Sequence, residues 1–494
     1  MRDTRGSNTM NVINYLAVCL LALTSGSNFT SAVRAQAPAI NKAILYKKVN
    51  IPEQLLGTMT TRNGKRIRFG GDVRIGDLTG NGRADLLVFR SVDGGMKPSF
   101  LGAFTLDGNI LWTVGEGGQQ PNRPGPVAIH DIDGDGQAEV ICLFVDGDKR
   151  RHWKSLENVV LQIRDGATGK VERQSAPTTI RQHGQPGPPR TNPKLWNDHN
   201  WVHQRILIAD LQGNKNPQDF IIKFGQKVFA LDNHLRILWC YDIPKQWQPY
   251  GRHTAYIPAV GDIDKDGKDE ILGGYFLLDD DGTPLWEKEL GPHMDSVAIT
   301  AWDQGHMRAI CSGHGHVLDA RGRILLKLGK QVPHGQEVRV ADFVAESPGP
   351  EMIIRYNGHQ RGVKVITNNG EIRKKFDLNE SANNTGMEVV YWNGKDQPAL
   401  LCNGGVLWTA DGLFLRLPGL PPPIRPVQPR ECPGWRMAWY HTIPANLCGD
   451  DREEVLLYNP WDTSIFIYTP IPFRKDAYTG YHPEPRQYNA RLMD

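Results

Sequence analysis

Three stretches of the chain repeat one loop with oxygen-bearing side chains at positions 1, 3, 5 and 9: Asp77-Leu-Thr-Gly-Asn-Gly-Arg-Ala-Asp85, Asp131-Ile-Asp-Gly-Asp-Gly-Gln-Ala-Glu139 and Asp262-Ile-Asp-Lys-Asp-Gly-Lys-Asp-Glu270. Carboxylates at this spacing, with glycine permitting the bend, can wrap a hard cation in oxygen ligands, and calcium is the ion they suit. The expected ligands are Asp131, Asp133, Asp135 and Glu139 in one loop and Asp262, Asp264, Asp266 and Glu270 in another. The first loop offers Asp77, Asn81 and Asp85. There Thr79 and Asn81 replace two carboxylates and reduce the charge that would hold an ion.

Apolar runs flank each loop, Val127 to His130 and Val140 to Phe144 around the second for example, so each loop joins two strands. Degenerate copies follow at Asp210, Asp303, Asp342, Trp392 and Leu447. The resulting landmarks lie at intervals suited to four-stranded units. Hairpins ending in tryptophan, such as Leu106-Asp-Gly-Asn-Ile-Leu-Trp112 and Asp281-Gly-Thr-Pro-Leu-Trp286, supply the third and fourth strands. The expected fold is all-β: an eight-bladed β-propeller, with seven blades as the alternative count.

Composition agrees. The 494 residues include 52 Gly, 34 Pro and 13 Trp, with no sustained helical period. Residues 1–35 read as a signal peptide, a basic lead followed by a short apolar core and a cut after Ala35. Residues 36–494 then form one propeller domain, with a Pro-, Gly- and Arg-rich insertion at 175–200. The expected location is secreted or periplasmic. A formal charge of +3 gives no reason to expect nucleic acid or membrane as a partner, and a monomer is expected. Cys432 and Cys448 could pair after export, whereas Cys142, Cys311 and Cys402 read as small buried strand residues.

Topology divides the molecule into two rims. The acidic loops join first to second strands on one rim, where their cation would be structural. Residues leading into first strands, or leaving second strands, lie on the other rim. There the chain concentrates His199, His203, Arg252, His253, His293, His334, Tyr356, His359 and Arg361. Residues that lead into first strands point toward the central channel, so His203, His253, His293 and His334 from successive blades would surround one cavity. Imidazole, guanidinium and phenol together suit an anionic polar substrate.

The run from Tyr256 to Ile271, the segment Gly291-Pro-His-Met-Asp-Ser-Val297, the run from His334 to Phe343 with Pro350 and Glu351, and the tail Tyr488 to Asp494 resemble the propeller lyases of the rhamnogalacturonan lyase type, polysaccharide lyase family 11. The likeness covers most of the chain after residue 35, and the Asp-x-Asp-x-Asp-Gly loop is also similar to integrin-type FG-GAP repeats. The resemblance implies β-elimination on an acidic polysaccharide containing uronate. Such chemistry needs neutralisation of the C6 carboxylate, a base at C5 and an acid at the leaving oxygen. Arg252 is expected to meet the carboxylate. His253, or else His203, is expected as the base, and Tyr256 or His293 as the proton donor. In the insertion, His199 and Trp196 are expected to contact sugars, as are His334, Tyr356, His359 and Arg361 on the rim. The alternative is a non-catalytic propeller that binds glycans or a protein through the same rim.

Overall fold

The computed structural model describes residues 40, 42–60, 64–91, 98–118, 125–145, 159–176, 178, 180, 205–224, 227–247, 254–291, 294–380, 386–423, 438–472, 480–481 and 483. Eight four-stranded antiparallel sheets follow one another, as the turn spacing requires. Blade 1 runs from Asp72–Gly76 to Ile110–Gly115, and blade 2 from Val127–His130 to Val171–Ser175. Blades 3 to 7 begin at Ile206–Ala209, Ala259–Gly261, Val297–Asp303, Glu337–Ala341 and Glu388–Val390.

Blade 8 holds His441–Ala445, Glu454–Tyr458 and Ser464–Thr469, and its outermost strand is Ile44–Asn50 from the other end of the described chain. This strand pairs antiparallel from Ile44 opposite Thr469 to Asn50 opposite Ser464. The ring is thus closed by a strand that carries no turn motif. A hairpin of Gly57–Thr60 and Arg66–Phe69 follows it.

Burial explains the strand sequences. Second strands such as Glu139–Val145 and Glu454–Tyr458 are buried along their whole length, so they read as unbroken apolar runs. Fourth strands such as Val171–Ser175 lie at the sheet edge and are largely exposed. Blades are also joined side to side. Trp112 of blade 1 donates from its indole to the Gly166 carbonyl of blade 2 at 2.6 Å, and Trp239 of blade 3 donates to the Asp280 carbonyl of blade 4 at 2.7 Å. A Cβ at Gly169 or Gly282 would meet these same indoles at 2.5 and 2.7 Å, which requires glycine there.

The eight landmark turns all join first to second strands. In the acidic loops the fourth position is left-handed at Gly80, Gly134 and Gly213, and at Lys265, where φ is 68°. Among the described residues, Cys448 is half-buried and unpaired; Cys432 lies outside them, as does nearly all of the insertion at 175–200. Cys142, Cys311 and Cys402 are fully buried in second strands, and burial pushes the Cys142 thiol up to about 11.

Candidate functional site

The carboxylate turns are built from their own amides. Asp131 Oδ1 accepts the Gly134 and Asp135 amides at 2.7 and 3.1 Å, and its Oδ2 accepts Gly136 at 3.0 Å. Asp262 does the same for Lys265 at 2.6 Å and Gly267 at 3.1 Å. At the end of each loop a buried glutamate accepts the amide of the second loop residue: Glu139 from Ile132 at 2.9 Å, Glu270 from Ile263 at 2.7 Å.

Two clusters result. Ligand oxygens of Asp131, Asp133 and Glu139 lie within 4.8 Å of one another, and so do those of Asp262, Asp264 and Glu270. Glu270 Oε1 is buried with no hydrogen-bond donor, the condition a bound cation would relieve. Burial first, then the neighbouring carboxylates, raise both Glu139 and Glu270 to about 8. A cluster of carboxylate oxygens with one uncommitted atom fits a hard divalent cation.

Asp135 and Asp266 stand outside both clusters, their oxygens accepting the Gln137 and Lys268 amides at 2.8 and 2.9 Å. In the first loop Asp77 accepts the Asn81 and Gly82 amides, Asn81 accepts Arg83, and the Thr79 hydroxyl donates to Asp85 at 3.2 Å. A hydroxyl there meets the carboxylate that faces the other acids in the second and fourth loops.

The terminal carboxylate has a role without any ion. In loops that lack the acidic set, Asp219 accepts Leu211 at 3.1 Å, Glu351 accepts Phe343 at 3.0 Å and Glu454 accepts Leu447 at 2.9 Å. This residue fixes the corner of the blade, and the cation clusters are an elaboration of it.

On the opposite rim, His334 leads into the first strand of blade 6, and its Nε2 lies 3.1 Å from Oδ2 of Asp295, which leads into blade 5. Asp295 is 3% exposed, while a third of the His334 side chain remains open. The backbone holds His334 on both sides: its amide donates to the Tyr356 carbonyl at 3.2 Å, and its carbonyl accepts Gly358 at 2.8 Å. His359 stands edge-on to it with ring centroids 6.4 Å apart. The buried carboxylate thus fixes the orientation of a partly open imidazole.

The structure therefore brings together His334, Tyr356 and His359, and adds Asp295. Arg361 is exposed and donates to the Asn379 carbonyl at 3.2 Å. Tyr256 is partly buried and packs on the core shared by blades 3 to 5. Trp196, His199, His203, Arg252, His253 and His293 lie outside the described residues.

Sequence reasoning missed several charged residues of this region. Lys223, at the end of the second strand of blade 3, donates to Thr254 Oγ1 at 3.0 Å and to the Ala255 carbonyl, and burial lowers its ammonium to about 7. On the innermost strands, Arg339 Nη2 lies 3.1 Å from Glu337 Oε1 and 3.2 Å from Glu388 Oε1, linking blades 6 and 7. Asp295 stands in the segment Gly291 to Val297. Its signal is an acid two residues ahead of a first strand, and once buried there it needs a partner.

No family model matches the chain. It is 28% identical to the rhamnogalacturonan endolyase YesW of Bacillus subtilis (strain 168) over an alignment of 525 residues, which covers 93% of this chain and 78% of that protein. The rhamnogalacturonan exolyase YesX of the same organism is 25% identical over 272 residues, 48% of this chain and 43% of the other. Among solved structures, the rhamnogalacturonan lyase YesW superposes with a TM-score of 0.62 at 21% identity, over 86% of this chain and 76% of that one. The Bacillus licheniformis rhamnogalacturonan lyase PL11 gives 0.60 at 19% identity, over 87% and 78%. At these identities the structural likeness establishes the propeller.

Proposed function

We infer that this chain is a polysaccharide lyase of the rhamnogalacturonan lyase type that cleaves an acidic, uronate-containing polymer by β-elimination. The observation that carries this is the 28% identity to a rhamnogalacturonan endolyase along 93% of the chain. The open His334 imidazole on its buried Asp295 supplies a group able to handle a proton on the rim where the substrate would lie.

In β-elimination the C5 proton of the uronate leaves, the electron pair forms the C4–C5 double bond, and the C4–O bond breaks as the leaving oxygen takes a proton. Neutralising the C6 carboxylate makes the C5 proton acidic, and Arg252 is the residue assigned to it. His253, with His203 as the alternative, is assigned as base, and Tyr256 or His293 as donor to the leaving oxygen. His334, Tyr356, His359 and Arg361 are assigned to substrate contact. His334 is oriented by Asp295 in the way an imidazole needs if it is to exchange protons.

Calcium is the ion we assign to the two carboxylate clusters. Its residues would be Asp131, Asp133 and Glu139 in blade 2 and Asp262, Asp264 and Glu270 in blade 4. When bound, it neutralises their charge at the blade corner, on the rim opposite the histidines. Export through residues 1–35 is part of the same proposal, since a pectin-type polymer is met outside the cell.

The test is incubation of the purified protein with a panel of rhamnogalacturonan and other acidic polysaccharides, following the ultraviolet absorbance of the unsaturated uronate. A rise with one polymer supports the reading. No rise with any, from a folded protein, would favour a propeller that only binds.

A further inference from the structure

Blade 6 carries a charge arrangement that folding does not explain. Lys364 on the third strand, Gly362–Ile366, lies directly opposite Lys375 on the fourth, Ile372–Asp377. Like charges facing each other across a ladder are destabilising. Three other lysines at the sheets have carboxylate partners: Lys47 with Asp107, Lys227 with Asp242 and Lys268 with Asp280. Neither Lys364 nor Lys375 forms an ion pair among the described residues. Lys375 is held first by a hydrogen bond to the Tyr356 side chain, and the carboxylate it feels more weakly is Asp377 on its own strand.

The two ammonium groups share one aromatic partner. Lys364 Nζ lies 4.4 Å and Lys375 Nζ 5.2 Å from the centroid of the Tyr356 ring. Lys364 Nζ also donates to the Gln331 carbonyl at 2.7 Å, which brings it toward the connection between blades 5 and 6. Gly362 leaves room for the ring, since a Cβ there would sit 3.1 Å from Tyr356 Cε1. Attraction to Tyr356 holds the cations without an ion pair. The Tyr356 carbonyl accepts the His334 amide, so this basic patch is continuous in the backbone with His334.

We propose that Lys364 and Lys375, held beside Tyr356, form a second anion site, which takes the carboxylate of a uronate unit away from the bond being broken. This rests on the reading of the chain as a lyase of acidic polysaccharides. The two ammonium groups meet the two oxygens of one carboxylate. Polymer binding then gains affinity from a point outside the reacting unit, and a longer chain is held better than a short one.

The test uses the whole protein and Lys364→Gln/Lys375→Gln, with Lys374→Gln as control, because strand alternation turns Lys374 to the other face. Mobility in native gels cast with rhamnogalacturonan reads binding without any turnover. The double variant should lose most of the retardation, its Kd rising about tenfold, the equivalent of about 1.4 kcal/mol, while Lys374→Gln is retarded like the wild type. In lyase assays on the polymer the loss should fall on KM and leave kcat within about twofold, as uniform binding requires. Equal retardation of double variant and wild type, with matching thermal melts, overturns the site. Failure of the wild type to release unsaturated uronate would overturn the lyase reading alone, because the gel still decides whether this patch binds the anionic polymer.

Discussion

The Tyr458 hydroxyl donates a 2.6 Å hydrogen bond to Asp72 Oδ1, joining the second strand of blade 8 to the first strand of blade 1 across 386 residues of sequence. Both side chains are buried, and Asp72 is also met by Arg74 at 3.2 Å. Burial and the Asp72 charge hold the phenol protonated, so it remains a donor. Tyr458→Phe should cost about 2 kcal/mol, the range for a hydrogen bond to a charged group. Urea unfolding would read this as a lower midpoint at constant slope. An unmoved midpoint would mean that Arg74 and the Val73 amide satisfy Asp72 without the phenol.

Chelation should lower the melting temperature if the clusters in blades 2 and 4 hold cations, since an ion that binds only the folded state stabilises it. Asp133→Ala and Asp264→Ala should each reproduce part of that loss and blunt the effect of chelator. The corresponding Thr79→Ala change in blade 1 should leave the chelator response as it is in the wild type. A melt indifferent to chelator, with metal analysis confirming removal, would leave the clusters as charged turns.

For the His-rich rim, His253→Ala and Arg252→Ala should each reduce turnover by about a hundredfold to ten-thousandfold, the usual loss for a proton-transfer group or a charge that stabilises an enolate. Arg252→Lys should be impaired as well, because a point charge does not reproduce a bidentate grip. Circular dichroism should show the fold unchanged in each. Retention of more than about a third of the rate would move the chemistry to His203, His293 or His334.

Asp295→Asn probes the described pair. Replacing the carboxylate by an amide weakens the contact that holds the His334 ring in place, so turnover on the polymer should fall while the melting curve is kept. Wild-type turnover in Asp295→Asn would assign the pair to packing alone.

Glu454 gives a pH prediction at a corner without a cation cluster. Burial raises it to about 7 from an ordinary 4.5, while its oxygens accept the Leu447 amide at 2.9 Å and the Thr469 hydroxyl at 3.2 Å. The folded state therefore holds this proton more tightly than the unfolded chain. Its contribution is full below about 4.5 and is lost as pH rises through about 7. Glu454→Gln should gain on the wild type by about 1–3 kcal/mol between pH 4.5 and pH 8. A constant difference across that range would show that Glu454 titrates normally.

The eight turns were legible because Asp, Asn and Gly occur there for local backbone reasons that survive in the sequence. Glu139 and Glu270 were legible for the same cause, since the residue that closes the loop is part of its spacing. Asp135 and Asp266 match that spacing equally well, and only the structure shows them turned to backbone amides. His334 stood out as a histidine ahead of a strand. Its partner Asp295 did not, because their relation crosses from one blade to the next and leaves no local pattern. The same applies to the closing strand Ile44–Asn50, whose partner lies at the far end of the chain.

That strand also sets an order of assembly. Seven blades can form from contiguous sequence as it becomes available, but the eighth must wait for residues 464–469 before Ile44–Asn50 has anything to pair with. Until then Ser464–Thr469 and Ile44–Asn50 each expose a row of unpaired amides and carbonyls. Closure over such a separation belongs among the slow steps of folding. At high concentration a second chain offers the same two edges, so the exchange of Ile44–Asn50 between two copies would seal both rings and leave an interlocked dimer with every blade complete.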